Sequence, residues 1–269
     1  MRYTANDHTF VLCAYQESPY LDECIQSLTY QTTPGKILIV TSTYCEHIQR
    51  AADKYHIKLL VNHGKSGIAA DWNFGYSQAE TPLVTIAHQD DIYEPEYVER
   101  LVALINTSAH PLIAFTDYGE LRNGQKVYHN QLLKVKRILL FPLRIKMLQG
   151  SKFVRRRSLS FGSGICCPSV VYVCHNLPEK IFQENYRSNL DWQAWEQLSK
   201  LDGDFLYCPK RLLLHRIHSG SETSRIIADN KRKQEDLEMF CRFWPHTIAK
   251  ALAKLYGRAE KSNELNRKL

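Results

Sequence analysis

No apolar run in this 269-residue chain approaches the roughly 20 residues that a bilayer-spanning helix needs. The opening stretch, MRYTANDHTF, lacks the apolar core of a signal peptide. There is no C-x-x-C pair, and the vicinal Cys166–Cys167 has no second cysteine pair to complete a zinc site. Eight cysteines in a chain of this length do not make a secreted disulfide framework, so the thiols read as reduced and mostly buried. Repeats and low-complexity tracts are also missing. With 44% hydrophobic and 23% charged residues, the composition excludes a disordered chain. These absences together predict a cytosolic, globular protein.

What is present begins with alternation. TFVLCAY (9–15), KILIV (36–40), IKLLV (57–61), PLVTIA (82–87) and PLIAFTDY (111–118) read as strands apolar on both faces. Helical segments lie between them. Ser18 and Pro19 predict a helix start, followed by Leu21, Cys24, Ile25 and Leu28 on one face. A second helix falls around 45–55, and Ser66 is the expected cap of a third over 68–79. Pro95 predicts the start of a fourth, with Val98, Leu101, Val102 and Ile105 aligned. The fold class is therefore α/β, a mostly parallel central sheet flanked by helices. Ligands in such sheets bind beyond the carboxyl ends of the strands, here Ala14–Glu17, Thr41–Thr43, Asn62–Gly67 and His88–Asp91.

The second half is less regular. RNGQ is a turn, GICCPSVVYV (164–173) a candidate strand and NLDWQAWEQLSKL (189–201) a candidate helix. DFLYCPKRLLLHRIH (204–218) reads as one or two strands, and Leu237, Phe240, Cys241 and Trp244 form a helical stripe that Pro245 interrupts. The aromatic tail has either the core or a second chain to pack on. A last helix aligns Lys250, Lys254 and Arg258.

TIAHQDDIYEP (85–95) ends a strand on two adjacent carboxylates, Asp90 and Asp91. A helix start accounts for an acid at 91 to 94. It does not account for Asp90, whereas a hard divalent cation, which often takes one or two carboxylates and fills its shell with substrate phosphate oxygens, does. The net charge of +7 is concentrated in part in 132–158, dense in Lys and Arg and without an acid. Such a segment is either a solvated face or a surface for nucleic acid, anionic lipid or a phosphorylated substrate.

In order along the chain, these pieces resemble the family 2 glycosyltransferases of the GT-A fold, from about Thr9 to His218. FVLCAYQESPYLDECIQSLTYQT is similar to that family's opening strand and helix, and GIAADWNFGYSQAETPLVTIAHQDD to its G-x-x-x-x-x-N helix and D-x-D-D strand end. NLDWQAWEQL is similar to its E-D-W-x-x-W segment, and LLLHRIHSGSET to its Y-R-x-H segment. The resemblance implies a GT-A-like domain over 1–220, with a Rossmann-like nucleotide-binding half (about 1–118) and an acceptor half (about 119–220). A helical extension would occupy 221–269.

By the same resemblance, Asp90 and His218 hold Mn²⁺ or Mg²⁺ over the donor diphosphate, with Asp91, His88 and Arg216 in support. Ala14, Tyr15, Glu17, Ser42, Asn73 and Gln89 bind the nucleotide. Asp191 is the general base of an inverting transfer. The implied donor is a UDP- or dTDP-sugar, and the acceptor a saccharide or a lipid-linked one. The implied setting is bacterial surface-polysaccharide synthesis in the cytoplasm, with 134–157 and 246–258 resting on the inner membrane face. Arg155–Arg157 offer an alternative grip on an acceptor phosphate. The sequence departs from the family pattern at His88, at Thr41–Ser42–Thr43 in place of an acidic turn, and at Leu190 in place of a glutamate.

Two other readings compete. A glycosyltransferase-like binding module without catalysis fits those departures. A nucleotidyltransferase shares the sheet, but AYQESPY has neither the glycine nor the lysine of its phosphate loop. Nucleic-acid binding is disfavoured by the few aromatics in the basic segment.

Overall fold

Strand β1 (His8–Cys13) alternates its side chains between two cores. Phe10 and Leu12 face one, Val11 the other, and all are fully buried. β1 pairs in parallel with β2 (Lys36–Thr41) and β4 (Leu83–His88), and β2 pairs in parallel with β3 (Lys58–Val61). The structure, a computed structural model, describes residues 2–218 and 230–265, without the side chains of 230, 231 and 258–265.

The nine-stranded sheet runs β3-β2-β1-β4-β8-β6-β9-β5, with β7 (Gln125–Val127) on β6. Here β5 is Ile92–Tyr93, β6 Pro111–Arg122, β8 Val170–Val173 and β9 Asp204–Ile217. β8 is antiparallel to both β4 and β6, while β6 and β9 are parallel. The sheet is thus parallel through its first half and mixed beyond β4. Asn123 and Gly124, both at positive φ, turn β6 into β7.

Helices α1 (Leu21–Thr29), α2 (Glu46–Lys54) and α4 (Tyr97–Ile105) cover one face with the apolar stripes read from the sequence. α3 (Ile68–Gln78) lies on the other, and Gly75 lets it approach closely: a Cβ there would come within 2.3 Å of Val11 Cγ1. α5 (Gln131–Leu140), α6 (Lys152–Leu159) and α7 (Leu190–Leu198) follow. The final helices, α8 (Asn230–Cys241) and α9 (His246–Leu265), bury Met239, Phe240 and Ala249 in that same core. Phe240, Phe243 and Tyr256 surround Trp192 of α7, so the aromatic tail packs on the core.

Several boundaries shift. Ser18 and Pro19 precede α1, whose cap position is Tyr20, and Ser18 Oγ accepts from Tyr20 N–H at 3.3 Å. Gly67, at φ 136°, holds the cap position expected for Ser66, and α4 starts two residues beyond Pro95. The strand expected over 164–173 shortens to β8, because Pro168 has no N–H to give a ladder and 167–169 form a tight turn. The expected one or two strands over 204–218 form one long strand, β9, irregular where it passes Pro209. The 220/221 boundary and the end of LLLHRIHSGSET lie outside the described residues, as does the side chain of Arg258. All eight cysteines are unpaired.

Candidate active site

Parallel pairing brings the carboxyl ends of β1, β2 and β4 to one edge, and their loops are laced together there. Gln89 donates its amide to Tyr15 O at 3.0 Å and accepts from Tyr15 N–H at 2.9 Å. Gln16, at φ 52°, donates its N–H to Thr43 Oγ1 at 2.8 Å. A non-glycine residue held left-handed costs roughly 1–2 kcal/mol and is commonest where a site fixes it. Ser42 Oγ donates to Asp71 Oδ2 at 2.6 Å, and Asn62 Nδ2 donates to Asp71 Oδ1 at 2.8 Å. A carboxylate therefore stands beside the β2 tip after all, contributed by the first turn of α3.

The two aspartates of the β4 loop separate. Asp91 is fully buried, with Oδ1 2.9 Å from His215 Nδ1 and accepting the Arg216 N–H at 2.9 Å. Burial alone would lower the His215 imidazole, but Asp91 outweighs it and pushes it up to about 9. Burial likewise acts to raise Asp91, yet His215 holds it below the ordinary carboxylate range. The two form a buried ion pair. Asp90 faces outward instead, its Oδ2 3.0 Å from His218 Nε2. Arg216 fixes the Asp90 backbone through Nε to its carbonyl at 2.8 Å, binds Glu23, and stacks over Tyr20 at 4.3 Å.

His88, last residue of β4, stacks on Trp72 at 5.1 Å, and Phe182 meets Trp72 edge-on. Burial lowers the His88 imidazole although Asp91, Asp90 and Asp191 all pull the other way. Its Nε2 is buried without a partner in the structure.

Asp191 opens α7. Its Oδ1 accepts the Trp192 N–H at 2.7 Å, and Ser163 Oγ donates to Oδ2 at 3.4 Å. Burial pushes its carboxyl above the ordinary value, against the pull of that N–H and the charge of Lys136. The segment entering α7 is held by α8: Glu235 accepts the N–H groups of Arg187, Ser188 and Asn189 at 2.8, 2.8 and 3.0 Å. Asp236 accepts from Asn189 Nδ2 at 2.8 Å. Further along α7, the buried Glu196 is bound by Arg156, Lys200 and Arg242.

The structure thus gathers Ala14, Tyr15 and Ser42 on the strand tips with His88, Asp90, Asp91, Arg216 and His218; Asp191 lies in the first turn of α7, and Glu17 stays exposed on the β1 loop. It corrects three expectations. Asn73 does not face a nucleotide: its amide accepts from Ile181 and Phe182 N–H and donates to Phe182 O at 2.7 Å, which seats Phe182 against Trp72. Gln89 is engaged with the Tyr15 backbone and shapes the loop. Arg155 is buried against the carbonyls of Gly203 and Leu201 and Arg156 is on Glu196, so neither can grip a phosphate. Sequence reading missed Asp71, Glu235 and Lys136, which donates to Tyr118 Oη at 2.8 Å. For Asp71 the signal was available, an acid entering the helix just where the β2 turn lacks one.

Among the described residues, no group of three or more His, Cys, Asp or Glu could hold a metal ion. Asp90 and His218 do suit a cation shared with a ligand, since a carboxylate oxygen and an imidazole leave most of the shell for phosphate oxygens.

The family model described as Glycosyl transferase family 2 matches residues 9–176. A Haemophilus influenzae protein described as an uncharacterized glycosyltransferase is 24% identical over 237 residues, 80% of this chain and 67% of its own. Among solved structures, S. aureus TarS 1–349 in complex with UDP-GlcNAc gives a TM-score of 0.60 at 15% identity, covering 91% of this chain and 70% of that one. The mannosyltransferase PcManGT from Pyrobaculum calidifontis, in complex with GDP-Man and Mn²⁺, gives 0.61 at 12% identity over 95% and 75%. At such identities the likeness speaks for the fold, which is GT-A-like.

Proposed function

The chain belongs to glycosyl transferase family 2, and on that premise we propose that it transfers a sugar from a nucleotide diphosphate to a hydroxyl of a saccharide or lipid-linked acceptor, with inversion at the anomeric carbon. One observation carries this reading: Asp90 and His218 meet at 3.0 Å beyond the strand ends. We pair this leaving-group site with Asp191, in the first turn of α7, as the single base.

Asp90 and His218 would hold a divalent cation, Mn²⁺ or Mg²⁺, whose charge stabilises the departing diphosphate as a Lewis acid. The protein's own groups do the rest. Asp191, in its ionised form, takes the proton of the acceptor hydroxyl as that oxygen bonds to the anomeric carbon. The bond from that carbon to the diphosphate oxygen breaks, and its electron pair leaves with the nucleotide. Lys136 favours the ionised form of Asp191 before the proton arrives. His88 offers the lone pair of Nε2 to a donor hydroxyl, and Arg216 keeps the Asp90 backbone in place.

Asp71 is our candidate for base recognition. Its carboxylate only accepts hydrogen bonds, so it suits a base with an imide N–H, as in uracil or thymine, and disfavours cytosine, whose ring nitrogen there is an acceptor. The relatives bound to UDP-GlcNAc and GDP-Man also carry bases with such a donor.

The test is nucleotide release from UDP-, dTDP- and GDP-sugars with an acceptor mixture. Asp191→Asn should cut kcat by about 10²- to 10⁴-fold while nucleotide binding persists. Turnover unchanged in Asp191→Asn would remove Asp191 as the base.

A further inference from the structure

No Asp or Glu occurs between Glu120 and Glu179. Within this span Arg122, Lys126 and Lys152 pair with Glu120, Glu94 and Asp202, and the structure sorts the remaining Lys and Arg into two sets. Lys136, Arg137, Arg155 and Arg156 turn inward, onto Tyr118, Asp117, backbone carbonyls and Glu196. Lys134, Arg144, Lys146 and Arg157 turn outward and pair with no described carboxylate. Between them stand large apolar side chains in the open: Ile138, Phe141, Ile145, Met147 at 92% exposure and Phe153 at 71%. Such side chains normally lie in a core, and alternating here with unpaired cations they make an amphipathic rim.

A groove of about 750 Å³ opens along this rim. Its walls include Lys134, Ile138, Phe141, Arg144 and Arg211, and beneath it Arg137 is held by Asp117 at 2.7 Å. Arg144 lies over the Phe141 and Tyr207 rings at 5.9 and 6.0 Å, so its guanidinium is braced without a carboxylate partner.

We propose that this rim docks onto an anionic phospholipid bilayer. Phe141, Ile145, Met147 and Phe153 enter the headgroup–acyl boundary, and Lys134, Arg144 and Arg211 meet lipid phosphates at the groove. Charge complementarity selects this occupant. A second copy of the chain would bring the same cations against themselves, and aliphatic side chains give nucleic-acid bases little to stack on. The proposal needs no donor and does not rest on the transferase reading.

Co-sedimentation with vesicles of phosphatidylcholine alone, or of phosphatidylcholine and phosphatidylglycerol at 3:1, tests it without any nucleotide. The intact protein should bind the anionic vesicles at low salt and release at high salt. Lys134→Gln and Arg144→Gln should each weaken binding about fivefold. Phe141→Ser combined with Met147→Ser should weaken it about tenfold or more, the loss of two inserted side chains. Lys58→Gln, an exposed cation on β3, should change little. Unaltered melting temperatures would show that the variants fold. The proposal is overturned by absent binding, by equal binding to both vesicle types, by insensitivity to the rim substitutions, or by a dimer that buries the rim.

Discussion

Asp90 and Asp91 are neighbours in sequence with opposite tasks. Asp91 is the buried partner that keeps His215 protonated, so in Asp91→Asn the imidazole should titrate at a lower pH and the ion pair's stabilisation be lost, a cost of about 2–3 kcal/mol in urea unfolding near neutral pH. Asp90→Asn, at the outward position, should leave stability close to wild type and remove cation-dependent nucleotide binding. For Asp191 the direction of its shift sets a pH dependence. Its folded carboxyl lies above the ordinary value, so Asp191, as the proposed base, should be protonated at a higher pH than a free aspartate would be. The acid limb of kcat should therefore fall above the usual aspartate range. The same sign means that the ionised form opposes folding at neutral pH, so Asp191→Asn should raise the melting temperature while reducing turnover. The order of short motifs singled out Asp90, His218 and Asp191 in the sequence, and the fold brings Asp90 and His218 together. Asn73 and Gln89 were misjudged because their partners are backbone groups of Phe182 and Tyr15, which no side-chain pattern announces. Asp71 was not singled out, because the Ser42 turn that it serves lies 29 residues away in sequence.

At the scale of elements, α7, which carries the proposed base, depends on a helix remote in sequence. Glu235 of α8 accepts N–H groups of 187–189, which would otherwise be unsatisfied where the chain enters α7. Glu235→Gln removes the charge and should destabilise by about 1–3 kcal/mol. Because Asp191 is carried by that same turn, kcat should fall more than KM rises, and the acid limb should move, neither of which a purely structural role would produce. Kinetics across pH, beside a thermal melt, separate the two. Strands and amphipathic helices through β6 were readable because each has an unbroken apolar period. Their starts were less so: Ser18, Ser66 and Pro95 carry helix-start chemistry, yet tertiary contacts begin the helices later. The capping by Glu235 was unreadable, since it joins segments 46 to 48 residues apart.

Over the whole molecule, charge and topology divide the labour. The strand tips gather the carboxylates and histidines, and the acid-free span supplies internal bridges on one side and an open cationic rim on the other. The parallel half of the sheet followed from composition and periodicity. The mixed half did not, because β8 is only four residues long and a proline ends its expected extension. The extension beyond β9 belongs to the main core through Met239, Phe240 and Ala249. The central claim is that Asp90 and His218 hold a cation over a nucleotide diphosphate. Calorimetry with UDP, dTDP, GDP and CDP, with and without Mn²⁺, on wild type and Asp90→Ala, tests it most directly. The account predicts Mn²⁺-dependent binding of UDP or dTDP, weaker binding of CDP, and loss of the metal dependence in the variant. Folded wild-type protein that binds none of the four, or binds one equally with and without Mn²⁺ and with and without Asp90, would contradict it.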